Sequence, residues 1–182
     1  MRAIRFGICA LVMVSLCDLV GIGQTGGGQE QLGGMVLRLK PPADRAVDWP
    51  AAKVTAGFNE MVMKKLESQR ILEGGAFNFN LRRETAAEPD ATAHGKKADL
   101  YLIRSGEATL TTGGQLVNPK PPSGAEGDID GSGIRNGAAR VVKAGDVVFI
   151  PPGVPHQITA VNGEVQFLLF RWDTREAPTA SR

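Results

Sequence analysis

Short segments in which apolar and polar residues alternate, separated by turn-forming residues, fill the chain from residue 74 to residue 172. Alternation with a period of two places successive side chains on opposite faces of a β-strand. The segments predicted as strands are 35–40, 74–84, two within 98–114, two within 139–153 and a hairpin over 156–172. Short strands at this spacing indicate an all-β sandwich or barrel.

Turn-forming residues mark where these strands are expected to reverse direction. Asn162-Gly163, between two apolar runs, is the strongest short-range signal for a β-hairpin, because both positions need positive φ. Ser105-Gly106 is predicted to separate the two strands of 98–114, and Ala144-Gly145 to separate those of 139–153.

One helix is predicted, over residues 50–67. Pro50 lies at its start, where proline is tolerated. Apolar residues then recur at a spacing of four, at Val54, Phe58, Val62 and Leu66. This stripe predicts a helix that lies outside the barrel and packs those four side chains against it.

Residues 1–23 have the three-part layout of a secretory signal peptide. Two arginines precede an apolar stretch, Asp18 interrupts it, and small residues follow at Gly21 and Gly23. The apolar run is too short to span a bilayer comfortably. We predict that this segment is removed and that the protein is exported, to the periplasm or outside the cell. An uncleaved anchor and an ordinary buried helix are the alternatives.

Both cysteines, Cys9 and Cys17, lie in this segment, so the mature chain is predicted to have no disulfide and no thiol chemistry. VSLC at 14–17 loosely resembles a lipoprotein signal, but Leu16 stands where that pattern has a small residue. Export without acylation is therefore favoured. Glycine-rich residues 24–34 are expected to be a flexible linker, and residues 174–182 a frayed tail.

The charge balance excludes two classes of partner. The chain has 21 Lys+Arg against 19 Asp+Glu and no basic stripe, so a nucleic-acid binder is not predicted. Binding to a membrane surface through charge is not predicted either once the leader is removed. A chain of 182 residues suits one domain. Residues 115–137, rich in proline, glycine, aspartate and asparagine, are expected to be a long excursion from it.

Both histidines stand in motifs with a defined spacing. GDVVFIPPGVPH (145–156) has glycine, five residues, proline, one residue, glycine, two residues and histidine, at Gly145, Pro151, Gly153 and His156. Proline fixes φ and glycine frees it, so the segment predicts a tight turn that ends at His156. A histidine that only forms a hydrogen bond inside a barrel is the alternative to a ligand role.

His94 belongs to a second spacing, in which Asp99 follows after four residues and Gly106 after six more. With the later motif, this spacing resembles the two conserved motifs of the cupin superfamily, of the cupin 2 conserved barrel type. The motifs span about residues 92–160. The first motif is degenerate, because Thr92 stands where it has its first histidine and Asp99 replaces the usual glutamate.

The resemblance implies a double-stranded β-helix, or jelly-roll, barrel over residues 35–173. It also implies that His94, Asp99 and His156 meet inside the barrel as metal ligands. Two imidazoles and a carboxylate can hold a divalent first-row metal, such as Fe, Mn, Zn or Ni, and leave positions open. The alternative is a metal-free pocket in which Asp99 pairs with a neighbouring lysine, Lys96 or Lys97.

Four further side chains are predicted to bind a ligand on the cavity wall: Asn80, Arg82, Thr92 and Tyr101. Tyr101 shares a strand face with Asp99, which would line the cavity if that carboxylate points inward. The strand face with Asn80 and Arg82 is either the pocket wall or solvent-exposed surface, and the sequence leaves both open.

We therefore predict an exported protein that binds a small molecule and a divalent metal in its barrel. A metal-dependent enzyme of the dioxygenase or isomerase type is the first alternative, although no third histidine or inward glutamate is apparent as a general base. A metal-free scaffold or interaction protein is the second. The expected partners are a small-molecule ligand and, as an open alternative, a second copy of the chain in a homodimer.

Overall fold

The computed structural model describes residues 30–38, 40–122 and 127–174. Three predictions lie outside these residues: the signal peptide of 1–23 with its two cysteines, the linker as far as residue 29, and the tail from residue 175. Within the described ranges, none of the helical structure is long and apolar enough to cross a membrane.

Over the residues that the structure describes, the fold is all-β apart from one helix, as predicted. In chain order the elements are β1 (Gln31–Leu32), β2 (Met35–Val36), α1 (Ala51–Lys64), β3 (Ser68–Glu73), β4 (Phe77–Glu84), β5 (Ala91–Ala93), β6 (Lys97–Thr112), β7 (Gln115–Val117), β8 (Ile129–Gly131), β9 (Gly133–Arg135), β10 (Ala138–Lys143), β11 (Val147–Ile150) and β12 (His156–Asp173). The two long strands, β6 and β12, organise the rest.

β6 and β12 pair antiparallel over almost their full length, from His156 opposite Thr112 to Asp173 opposite Lys97. Their outer neighbours change midway along. β10 and β5 pair with the part nearer His156, whereas β11 and β4 pair with the part nearer Asp173. The sheet therefore has two halves that share the long strands, as in the predicted double-stranded β-helix.

Apolar side chains from both halves form one buried cluster inside the barrel. Its members are Tyr101, Ile103, Ala108, Leu110, Val142, Val148, Ile150, Ile158, Val165, Phe167 and Leu169. Each half has an apolar face that must be buried against another layer. Packing the two halves on each other satisfies both faces and closes the barrel around the candidate site.

Gly106 lies where β6 passes from one half of the sheet to the other. Its φ is +79°, and a Cβ atom built there would lie 1.8 Å from the carbonyl oxygen of Glu164 on β12. Only glycine fits so close a backbone approach. The predicted turn at Ser105-Gly106 is thus wrong, because β6 continues through this position as one strand.

The hairpin predicted at Asn162-Gly163 is also wrong. β12 runs without a reversal from His156 to Asp173, and both arms pair with β6 instead of with each other. The pairing register with β6 shifts between Asn162 and Gln166. Gly163, with a φ of +75°, lies within this irregular part of the strand. The turn predicted at Ala144-Gly145 is present between β10 and β11.

α1 packs outside the barrel in a second apolar cluster, as predicted. The cluster is formed by Leu32, Met35, Val54, Phe58, Met61, Ile71 and Leu81. The predicted stripe is wrong at Val62, which is 45% exposed, because each residue turns the helix by about 100°. Val62 therefore lies about 80° around the axis from Val54, whereas Met61 lies within about 20° of it. Leu66 is partly buried beyond the end of the helix.

The linker predicted over 24–34 does not extend to residue 34. β1 and β2 form a short hairpin in which Leu32 and Met35 are buried beneath α1. Only the first two residues of the strand predicted over 35–40 are extended in β2. The excursion predicted over 115–137 is more regular than expected, since it contains β7, β8 and β9.

Candidate metal centre

Backbone pairing brings the two histidine motifs together. His94 lies in the connection between β5 and β6, and His156 is the first residue of β12. The proline-rich turn before β12 is tied to the first motif, because the Gly153 N–H donates a hydrogen bond to the His94 carbonyl oxygen at 2.7 Å. His156 is also paired in register with Thr92 of β5. The turn thus fixes His156 beside His94.

His94, Asp99 and His156 converge inside the barrel. Asp99 Oδ2 lies 3.7 Å from Nε2 of His94 and 3.7 Å from Nε2 of His156. All three side chains are buried, and each offers a ligand atom within 4.8 Å of the other two. These three residues, here called the donor cluster, are those that the two sequence motifs predicted.

The outer nitrogen of each imidazole faces an oxygen. His156 Nδ1 lies 3.0 Å from the carbonyl oxygen of Val154, so it carries the proton and donates. This leaves a lone pair on Nε2, which faces Asp99. His94 Nδ1 lies 3.1 Å from Asp128 Oδ2. The arrangement favours Nε2 as the ligand atom of both rings.

Burial lowers the pKa of both histidines, because a charged imidazolium is poorly solvated there. The positive charge of Arg171 lowers the pKa of His94 further. Both imidazoles are therefore neutral at pH 7, the form that binds metal. Two neutral imidazoles and a carboxylate suit a divalent first-row ion, so the donor cluster fits the metal that the motif resemblance implies.

Sequence reasoning missed the group that touches Asp99. Arg171, on β12, donates from Nε to Oδ1 at 2.6 Å and from Nη2 to Oδ2 at 2.7 Å. The two residues are directly opposite in the pairing of β12 with β6. The alternative in which Asp99 pairs with Lys96 or Lys97 is thus replaced by a two-point pair with Arg171. The pair was missed because the predicted hairpin paired the two arms of 156–172 with each other. The observed pairing of β12 with β6 is what places Arg171 opposite Asp99.

A cavity of about 280 Å³ adjoins the donor cluster. Its lining residues are Glu67, Arg82, Glu84, Glu88, Pro89, Asp90, Thr92, His94, Tyr101, His156, Leu169 and Arg171. Three of the four predicted ligand-binding residues are among them. Asn80 is not; it is buried beside the wall and donates from Nδ2 to Asn78 Oδ1 at 2.5 Å.

Two of the three lining residues that were predicted, Tyr101 and Thr92, are held in place by their neighbours. Tyr101 stacks on Phe167 with ring centroids 4.8 Å apart, and burial raises its pKa, so the phenol stays protonated and can donate. Thr92 Oγ1 donates to Asp130 Oδ1 at 2.8 Å. Thr92 stands where the motif has a further histidine. Because its hydroxyl already donates to Asp130, Thr92 does not replace that histidine as a metal ligand.

Two carboxyl groups on the cavity wall were also missed. Both Glu84 and Glu88 pair with Arg82. Glu88 Oε1 lies 3.3 Å from Arg82 Nη2. Burial raises the pKa of both carboxyl groups. Glu88 is held in place because its Oε2 accepts from the Ile158 N–H at 2.8 Å. The cavity therefore has carboxyl groups able to hold or accept a proton, which the sequence did not reveal because they lie outside both motifs.

A scan of protein-family models and a search of curated proteins found no match to this chain. Among solved structures, the chain is similar to a protein from Bacillus halodurans, with 11% identity, a TM-score of 0.50 and coverage of 76% of this chain and 89% of that one. It is also similar to a cupin 2 conserved barrel domain protein from Salinispora arenicola, with 19% identity, a TM-score of 0.39 and coverage of 59% and 75%.

A third similar structure is an RmlC-like cupin family protein with a double-stranded β-helix fold from Methanocaldococcus jannaschii. It shares 15% identity, with a TM-score of 0.41 and coverage of 58% of this chain and 78% of that one. Likeness at such identities is likeness of fold. The fold and the donor cluster together define a cupin-like barrel protein with a candidate metal centre.

Proposed function

We propose that this protein binds a divalent first-row metal through His94, Asp99 and His156 and a small molecule in the adjoining cavity. The convergence of three buried donors around Asp99 Oδ2 carries the proposal. Buried ionisable groups gathered at one point of a cavity are costly to desolvate and are typical of functional sites. A bound ion would supply Lewis acidity toward a ligand placed at its open positions.

The cavity wall suggests how a small molecule would be held. Tyr101 offers a protonated phenol as a donor, and Glu88 offers a carboxyl group whose position is fixed by β12. At about 280 Å³ the space suits a compact ligand. Leu169 gives the wall one apolar patch among these polar groups, so a ligand with both polar and apolar parts fits it best.

Metal binding is tested by replacing His156 with alanine. Removing one of three donors is expected to weaken Zn²⁺ binding at least about 100-fold, because the remaining two leave the ion poorly coordinated. Affinity is measured by competition with a chromogenic chelator at pH 7.5. Asp90→Asn is the matched control, since Asp90 is a carboxylate of the cavity wall outside the donor cluster. Equal affinity of wild type and His156→Ala contradicts the proposal.

Export is the second part of the proposal and is supported by the signal-like layout of residues 1–23. We expect the exported protein to lack this segment. Mass spectrometry of protein recovered after export checks the cleavage. A product that retains Met1 contradicts it, and an acylated Cys17 supports the lipoprotein alternative instead.

A further inference from the structure

Arg171 engages both oxygens of the one carboxylate in the donor cluster. Its Nε and Nη2 donate to Oδ1 and Oδ2 of Asp99 at 2.6 and 2.7 Å. The Asp99 side chain is 1% exposed, and that of Arg171 is 23% exposed. A two-point guanidinium–carboxylate pair in such surroundings is a strong and geometrically specific contact.

The oxygen that a metal needs is one that the guanidinium holds. Asp99 Oδ2 faces Nε2 of both imidazoles at 3.7 Å, and the same atom accepts from Arg171 Nη2. An ion shared by the three donors would therefore lie on the same oxygen as a fixed positive charge. Charges of like sign at such short separations repel strongly where water is excluded.

The net charge of the donor cluster leads to the same conclusion. With both histidines neutral, Asp99 supplies the cluster's only negative charge, and Arg171 cancels it. The donor cluster itself then offers a divalent ion no net negative charge, and the Asp128 carboxylate, 3.1 Å from His94 Nδ1, acts only from the far side of that ring. Binding of the ion depends on drawing Asp99 away from Arg171, or on sharing it.

We propose that Arg171 competes with the metal for Asp99 and so keeps the metal centre weak and readily exchangeable. The inference rests on the proposed function and adds its regulation. The opposite role for Arg171 is to orient Asp99 and strengthen binding, as groups behind metal ligands commonly do. The two roles predict changes in affinity of opposite sign when the guanidinium is removed.

The test compares the Zn²⁺ affinity of wild type, Arg171→Gln and Arg104→Gln by chelator competition at pH 7.5. We expect Arg171→Gln to bind Zn²⁺ at least tenfold more tightly than wild type. Arg104→Gln is the matched control, because it removes a cation of β6 that does not line the cavity and whose partners are Gln166 and Thr55. It is expected to stay within about threefold of wild type, since exposed or paired charges at a distance act weakly. Equal or weaker binding by Arg171→Gln overturns the inference.

Arg171→Gln leaves Asp99 buried without its cation, which destabilises the metal-free protein. Arg171→Lys therefore serves as a second variant, because an ammonium keeps the charge but lacks the fork that holds both oxygens. The Zn²⁺ affinity of Arg171→Lys is expected to lie between that of wild type and that of Arg171→Gln. Zn²⁺ is also expected to raise the melting temperature of Arg171→Gln more than that of wild type, because tighter binding to the folded state stabilises it more.

The outcomes separate this inference from the proposed function. Measurable and equal Zn²⁺ binding by wild type, Arg171→Gln and Arg171→Lys overturns the inference and leaves the proposed function standing. Zn²⁺ binding by Arg171→Gln alone supports the inference and contradicts metal binding by the wild type. An absence of binding in every variant overturns both.

Discussion

Gly106→Ala is expected to destabilise the protein by about 4 kcal/mol or to prevent folding. The added Cβ would lie 1.8 Å from the Glu164 carbonyl oxygen, which is backbone and cannot rotate away. The φ of +79° adds a further cost for a residue with a side chain. The two long strands would have to separate at Gly106 and Glu164, where both pass from one half of the sheet to the other.

Gly163→Ala is the matched control for Gly106→Ala. Its φ of +75° is almost the same, but nothing lies within 4 Å of the Cβ position. The control variant is therefore expected to lose only about 1–2 kcal/mol, the cost of the left-handed conformation. Urea denaturation gives both free energies of unfolding. Similar losses for the two variants would show that the close approach of β6 and β12 does not matter.

Phe58→Ala is expected to lower the free energy of unfolding by about 3–5 kcal/mol. The ring is 0% exposed and lies in the cluster that joins α1 to the outer face of β4. Its removal leaves a cavity that the helix fills only in part. Urea denaturation measures the loss.

Val62→Ala, on the same helix, is the control for Phe58→Ala. Because Val62 is 45% exposed, its truncation is expected to change stability by less than about 0.5 kcal/mol. A loss for Val62→Ala comparable to that for Phe58→Ala would mean that the exposed face of α1 is covered by another surface. The pair therefore tests which side of the helix the barrel holds.

The donor cluster could be predicted because its residues stand in two motifs that resemble those of the cupin superfamily. The turn that ends at His156 is specified by prolines and a glycine within one short segment, and the spacing of His94 and Asp99 fits a connection followed by a strand. Alternation alone also predicted a β fold, since period-two patterns rarely arise in helices. Short-range signals predicted the strands and the turn, whereas the meeting of the two motifs was implied only by the resemblance.

The errors at the two predicted strand reversals, Ser105-Gly106 and Asn162-Gly163, have a common physical origin in long-range pairing. Asn162-Gly163 favours a hairpin locally, but each arm of β12 gains more from pairing with β6. That error hid the register that places Arg171 opposite Asp99, and with it the ion pair at the centre of the site. Strand partners distant in sequence leave no short-range pattern, so the neighbours of a predicted ligand are harder to infer than the ligand itself.

The incomplete motif has a consequence for ligand access. Thr92 occupies the position of a further histidine, and its hydroxyl is engaged by Asp130. A metal held by the donor cluster therefore has one protein ligand fewer than a motif with both histidines would supply. The vacated position lies beside the cavity wall, so a ligand in the cavity could coordinate the ion there as well.

The pairing of β6 with β12 is also a condition for the formation of the site during folding. His94 immediately precedes β6 and Asp99 lies at its start, whereas His156 begins β12, so the donor cluster forms only after two segments distant in sequence have paired. Such pairing carries a large loop-closure entropy and comes late in folding. The complete donor cluster is therefore present only in the closed barrel, which a bound metal ion would stabilise by mass action.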